Sequence, residues 1–483
     1  MITKKNKDNE TIYLSACIKK LIKIGKNYYI LIIGKSNNKC IFIRLIYNDN
    51  YYENLFTFRN EDYNYIYKQL LNNNEPLIRF NVGKSIIYLS YSQENIDQDI
   101  TFKLKIDEIH NINSDNIKIK YNFNTKLLSE EKMIILSHTS FNNKDFENLC
   151  EIKMNATLLN LENNNISDLN PLKSENIKYL QKLNLSNNKI KNIDTLDKLK
   201  LNNLKELMLN DNKIVDISIL EKIKLINLEI LYLNNNNISN IEVLENVNFQ
   251  NLTKLNLSNN KINDISILEN IEFNELTELN LSKNKIEKIL IKKTFSFPNL
   301  KSLNLSLNKI QEIIINGRIK LSKIKNIYLA SNQIKNIEIN KIQKINKLSI
   351  LDLSNNEINN ISFLENLEMK NINILNLNNN KIENIDILRK INIRNISDLF
   401  LSYNLISNIK VIKRMSLDNL TNLSLNHNKI KSINPLENLN FPKLKNLFIY
   451  RNLIDYRLQK NVDIIKNLKL NQNIQIFDYE CFL

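Results

Sequence analysis

His110, His138 and His427 are the only imidazoles that could move a proton near neutral pH, and none stands in an H-E-x-x-H or comparable frame. Cys17, Cys40, Cys150 and Cys481 are scattered without C-x-x-C spacing, which provides neither a zinc site nor a disulfide framework. Four glycines in 483 residues leave no phosphate-cradling loop, because such loops need glycine to bring backbone N–H groups against the anion. No serine-centred elbow and no carboxylate pair at helix spacing stands out. The expectation is a non-enzymatic chain with no catalytic residue, no cofactor and no metal. The residues whose types point to a task are Tyr403, His427 and Arg451, each 24 positions from the next, with Phe400, Phe448 and Tyr450 beside them. Exposed aromatics around an arginine are the composition of a protein-binding hot spot. The competing expectation is that the C-terminal tail, with Phe477, Tyr479 and Phe482, folds over them.

What positions these residues is a repeat. Asn164, Asn188, Asn212, Asn236, Asn260 and so on to Asn452 are thirteen asparagines separated by twelve intervals of 24 residues, with no insertion or deletion. Ile193, Ile217, Ile241 and their successors to Ile433 keep the same step, as does a large apolar column from Leu201 to Phe441. The unit Leu204-x-x-Leu207-x-Leu209-x-x-Asn212-x-Ile214 resembles the core of the leucine-rich repeat family, and the resemblance covers about residues 155 to 455. It lacks the G-x-I-P stretch of the plant extracellular subclass and is closer to the short intracellular and bacterial subclasses, although 24 residues is slightly longer than their usual unit. The resemblance implies an α/β solenoid: a curved, right-handed superhelix of about thirteen coils with a parallel sheet on its concave face. It also implies protein–protein recognition as the activity.

Each column has a physical reading of its own. In Leu207-Met208-Leu209 the alternation turns two leucines inward and Met208 outward, as a strand requires. Asn212 then stands where the chain turns, and its amide can pair backbone groups that burial would otherwise orphan. One coil cannot bury its apolar face alone, so neighbours stack and the ends need caps. Residues 126–154, with a helical stretch near 129–152 that brings Phe146, Leu149 and Cys150 together, are expected to seal the first coil. Residues 456–483 form the other cap, with Leu458, Val462, Ile465 and Leu468 on one helical face and Ile474 and Ile476 in a last strand. On the back of the solenoid, Leu196, Leu220, Leu244 and Leu268 are followed by Lys292, Asn316 and Asn340 before Leu364 restores the column. These three coils, which include Gly317, are read as having a different convex conformation, with a contact site for another domain as the alternative.

Before the repeats the period is two. Residues 29–33 and 41–46 form one expected hairpin, residues 77–82 and 86–91 another around Gly83-Lys84, and Phe102, Leu104 and Ile106 alternate as a strand, as do Ile117, Ile119 and Tyr121. A helix is expected from Glu61, with Asn60 as its N-cap and Tyr63, Ile66, Tyr67 and Leu70 on one face. Residues 1–125 therefore read as a small β-rich α+β domain of no assigned family.

The formal charge of +16 comes from 67 basic and 51 acidic residues. On the expected outward strand positions Lys182, Lys254, Lys283 and Arg451 meet Glu162, Glu206, Asp211, Glu278, Asp352 and Asp398, so the concave face is not where the excess lies. Lys189, Lys213, Lys261, Lys285, Lys309, Lys381 and Lys429 form a ridge beside the asparagines, read as a solvated edge because no aromatics interleave to stack bases. Without a secretory h-region, a paired-cysteine framework or an apolar run long enough to span a bilayer, the expectation is a monomeric cytoplasmic protein. The favoured function is recognition of a protein partner of unknown identity on the concave face. The alternatives are an adaptor whose N-terminal domain carries a second activity and, third, a nucleic-acid-associated protein using the lysine ridge.

Overall fold

In the computed structural model, the described residues are the backbone of the strands between residues 3 and 135, and residues 142–477 apart from 152–153, 174–176, 438, 440 and 472–473. From Leu158–Asn160 to Asn446–Phe448, each repeat contributes one three-residue strand, and each strand pairs in parallel with the strand 24 residues on. The central leucines of these strands, such as Leu183, Leu207, Leu231 and Leu255, point inward and are at most 2% exposed. The sheet has fifteen strands, two beyond the thirteen of the repeats. One is Met133–Ile135, paired with Leu158–Asn160; the other is Gln475–Phe477, paired with Asn446–Phe448. Each cap thus supplies a short outer rung that pairs the end strand of the repeats.

The segment 129–152 is therefore not helical throughout. It contains the strand Met133–Ile135, and the helix α1 spans Asn143–Cys150. Asn142 caps α1: its Oδ1 accepts from Lys144 N at 2.8 Å and Asp145 N at 3.1 Å, while Asp145 returns a bond to the Asn142 N–H. Phe146, Leu149 and Cys150 are buried against the first coil as expected. Asn143 Oδ1 also accepts from Ser167 N at 2.8 Å, which ties α1 to that coil. At the other end, α2 spans Gln459–Asn471 and buries Asn461, Ile464, Ile465 and Leu468. Leu458 precedes α2 and is 56% exposed, and Val462 is only half-buried, so the buried face is shifted from the expected one. The Asn461 side chain, which donates to Asp455 O at 2.8 Å, takes a place the periodicity assigned to an apolar residue.

The asparagine column joins the coils. In Asn284, Nδ2 donates to Leu281 O and to Leu257 O on the preceding coil, both at 3.0 Å, and Oδ1 accepts from Ile262 N at 3.0 Å. The same set recurs from Asn188 to Asn452. Each amide satisfies its own turn and the turn of the coil before it. The residue ahead of each ladder asparagine, from Asn163 to Arg451, has φ between 52° and 59°. Asparagine and aspartate tolerate this left-handed region best among residues with a side chain, and they occupy seven of the thirteen positions.

The back of the solenoid has two forms. Among the described residues, eight coils carry a short 3-10 turn, beginning with Asp194–Lys198 and ending with Asn434–Leu436. Several are started by an Asn or Asp side-chain oxygen that accepts from the N–H two residues on, as at Asp216 and Asp264. At 288 and 312 that residue is Lys or Glu, and β-rich runs follow. The coils then form the parallel strands Lys288–Ile291, Glu312–Ile315 and Asn336–Ile339. The altered column at Lys292, Asn316 and Asn340 accordingly marks a change of convex conformation. Glu269 closes the exposed edge of these strands by accepting from Lys292 N at 2.6 Å and Lys293 N at 2.9 Å. Gly317 lies so close to the preceding coil that a Cβ would come within 1.7 Å of Lys293 O. On the following coil Gln343, buried, donates to Gly317 O at 3.1 Å and accepts from Ile319 N at 2.9 Å.

In the N-terminal region, Asn27–Ser36 pairs antiparallel with Cys40–Tyr47, and Ile78–Val82 with Ser85–Ile96, as the alternation predicts. They belong to antiparallel sheets of five and three strands, the second including Asp99–Asp107. The expected helix from Glu61 and the strand at 117–121 lie outside the described residues, as do His110, His138, Cys481, Tyr479 and Phe482.

Two stability predictions follow from this packing. Asn284→Ala removes the acceptor of a buried N–H and the donor to three carbonyls, and is expected to cost roughly 1–3 kcal/mol in urea unfolding; a loss below about 0.5 kcal/mol contradicts the ladder. Gly317→Ala forces two backbones apart and is expected to lower the melting temperature well beyond Ser322→Ala, an exposed control on the same coil; equal melting refutes the close approach.

Candidate functional site

The six candidate residues stand on the last three coils, but the structure divides them into two groups. Phe400 and Phe448 are the third residues of strands Asp398–Phe400 and Asn446–Phe448, and Ser424 lies between them in register. Phe448 stacks on Phe477 of the terminal strand, with ring centroids 4.4 Å apart and planes inclined by 7°. Phe477 therefore covers Phe448, while Tyr479 and Phe482, the rest of the tail expectation, lie outside the described residues. Phe400 and Phe448 are half-buried.

Tyr403, His427 and Arg451 are not strand residues. All three occupy the left-handed turn position ahead of the ladder asparagine, with φ of 56°, 54° and 53°. Lys283 and Asp211 occupy the same column, so these charges too belong to the turn and not to the strand face. Backbone bonds to the next coil hold the conformation: Tyr403 N donates to Asn426 O, and His427 N to Tyr450 O, both at 3.0 Å. Upstream, where asparagines adjoin in this column, their amides bond from coil to coil; Lys283, Leu307 and Ser331 interrupt the run. Asn187 donates to Asn163, Asn259 to Asn235 and Asn379 to Asn355, at 2.7–2.9 Å. At Tyr403 and His427 a ring stack takes its place, with centroids 3.9 Å apart and planes at 14°. Tyr450 meets His427 edge-on at 5.5 Å. Tyr403 remains 51% exposed, and Arg451 is exposed.

Beneath the rings lies a buried polar floor. Ser402, Ser424 and Asn426 are each at most 7% exposed, and the two hydroxyls bond to each other and to Asn426 Oδ1. Beside it, Asn422 donates to Asp398 and Asn446 donates to Asn422, which fixes the first strand column. Burial of the imidazole, and secondarily the positive Arg451, hold the His427 pKa below its ordinary value. A neutral ring stacked on Tyr403 and the exposed guanidinium of Arg451 near it offer apolar area, one hydrogen-bonding edge and one cation. That combination can anchor a partner but contains no nucleophile–base pair.

Elsewhere the concave charges compensate one another. Lys182 pairs with Glu206 at 2.6 Å and Lys254 with Glu278 at 3.0 Å across adjacent strands. Such exposed pairs contribute little to stability, but they leave less free charge on this face. Cys150 is buried, and burial pushes its thiol up to about 12, so it is protonated and inert. Sequence reasoning found the Tyr403–His427–Arg451 column by its spacing. It missed the left-handed backbone, whose signal was the Asn or Asp at seven equivalent positions, and the buried Ser402–Ser424–Asn426 floor.

A family profile described as leucine-rich repeats in two copies matches residues 202–246, and one described as a leucine-rich repeat matches residues 274–334. Among solved structures, an internalin (inlF) from Listeria monocytogenes is similar at 26% identity, over 70% of this chain and 85% of that one, with a TM-score of 0.47. A chain of an LRIM1/APL1C complex is similar at 18% identity, over 67% of this chain and 57% of that one, with a TM-score of 0.49. No curated protein matches the sequence. Thirteen 24-residue coils, one parallel sheet, an asparagine ladder and the two profile matches make this chain a leucine-rich repeat protein.

Proposed function

We propose that the protein is a recognition module that binds a protein partner on the turns that follow the last three repeat strands of its concave sheet, without catalytic turnover. One observation carries the reading. Three successive turns place Tyr403, His427 and Arg451 at a left-handed position that asparagine fills more cheaply elsewhere in the chain. Bulky residues in this region cost on the order of 1 kcal/mol each, and such strain concentrates at binding sites. The rings are preorganised by stacking, so little side-chain freedom is lost when a partner docks. Tyr403 and Arg451 supply the anchors, and the buried floor keeps the turn rigid beneath them.

The partner contact and the fold respond oppositely to one change. Tyr403→Asn with His427→Asn and Arg451→Asn installs the residue most frequent at this turn on the upstream coils. Its melting temperature is expected to match or exceed the parent's, while recovery of the partner identified by cross-linking and mass spectrometry falls at least tenfold. A clear drop in melting temperature makes the three residues structural, and undiminished recovery removes them from the interface.

The imidazole adds a pH dependence. Its folded-state pKa lies below the unfolded value of 6.5, so the neutral stack contributes fully above that pH. The contribution is lost as pH falls from there through the folded pKa, because the folded state resists taking up the proton. NMR titration of His427 is expected to give a midpoint below 6.5, moving upward in Arg451→Asn; a midpoint above 6.5 refutes the assigned surroundings.

A further inference from the structure

The back of the solenoid carries a second surface, on another face and independent of the aromatic site. On the coils that replace 3-10 turns with strands, alternate side chains point to solvent. Arg318 and Lys320 flank Ile319 and are both exposed. Lys344 stands 24 residues after Lys320, and Lys323 and Lys347 form the next exposed pair along the same two coils. Lys293 adds a charge from the coil before. None of these six forms an ion pair with a described residue.

The Lys293 and Lys320–Lys344 columns reverse sign on either side, and the Lys323–Lys347 column does so on the N-terminal side. Glu269 stands one coil before Lys293, and Glu272 and Glu275 stand two coils before Lys320 and Lys323. Glu368 follows Lys344 by one coil, with Glu365 beside it. The result is a positive strip about 10 Å between its outer rows, at roughly 4.8 Å per coil, running along the strands between two acidic borders. It is distinct from the lysine ridge beside the asparagines, where Lys381 is paired with Glu357.

The borders and the side-chain types select the occupant. A bilayer is a broad anionic plane and would press on the glutamates as well as the lysines. A single strand of nucleic acid needs rings to receive its unstacked bases, and the aromatic residues of these strands, Phe295 and Phe297, are buried. A duplex keeps its bases inside and presents phosphates along a line that a narrow strip can follow. The geometry points to the phosphate backbone of a nucleic-acid duplex as the ligand of this strip, bound without sequence preference.

The test uses the full chain and a fluorescent duplex of about 20 base pairs, with anisotropy read at about 50 and 200 mM salt. The set Lys320→Glu, Lys323→Glu, Lys344→Glu and Lys347→Glu is expected to weaken binding more than about tenfold and to lower the slope of log K against log salt by roughly 3–4. A matched reversal on the ridge, Lys189→Glu, Lys213→Glu, Lys261→Glu and Lys285→Glu, has the same net charge and is expected to cost less than about threefold. Melting curves accompany both sets, and glutamine at the four strip positions replaces glutamate if the reversal lowers the melting temperature. Equal losses in the two sets, or no duplex binding by the parent, overturn the assignment. Tighter binding of a single strand of the same length overturns it too, as does strip-dependent capture by phosphatidylserine vesicles with duplex binding unaffected.

Discussion

One amide per coil holds this molecule together. The ladder asparagine reaches the carbonyl of the preceding coil with its Nδ2 and takes that coil's isoleucine N–H with its Oδ1. A buried backbone group left without these partners would cost roughly 1–3 kcal/mol, so the amide must arrive at the same depth in every coil. This requirement explains the invariant 24-residue step: one inserted residue between strand and turn would misplace the amide and flip the strand side chains between faces. It also forces the residue before each asparagine into the left-handed region, because the chain must leave the strand sharply to aim the amide inward.

The candidate site is built on that forced turn. Where the column holds asparagines, their amides bond from coil to coil; where it holds Tyr403 and His427, the rings stack at nearly the same spacing. The solenoid thus presents unusual side chains at a position its backbone already over-determines. Depression of the imidazole's pKa and the adjacency of Arg451 come from the same stacking of coils, which brings residues 24 apart into contact.

The back of each coil is constrained less tightly, and it varies more. A 3-10 turn and a short strand both return the chain across the core, and the choice follows local residues: an Asn or Asp starter with leucine in the altered column for the turn, and isoleucine alternation for the strand. Glu269, Gly317 and Gln343 then repair the junctions between coils, each by meeting backbone atoms of a neighbouring coil. Lys292, Asn316 and Asn340 announced the change of conformation in the sequence. The repairs were not legible there, because their partners lie 23 to 26 residues away and depend on how closely two backbones approach.

By itself the sequence determined the register, the number of repeats, the inward leucines and the column containing Tyr403, His427 and Arg451, since each follows from a strict period and from the separation of apolar and polar side chains. Only the tertiary structure decided that this column is a strained turn and not a strand, that Phe448 is covered by Phe477 while Tyr403 stays exposed, and that Met133–Ile135 is a rung of the sheet. These outcomes depend on the ends of the stack, where the period stops and the last coils must find partners outside it. Periodicity specifies what repeats; at the ends, contact geometry specifies the rest.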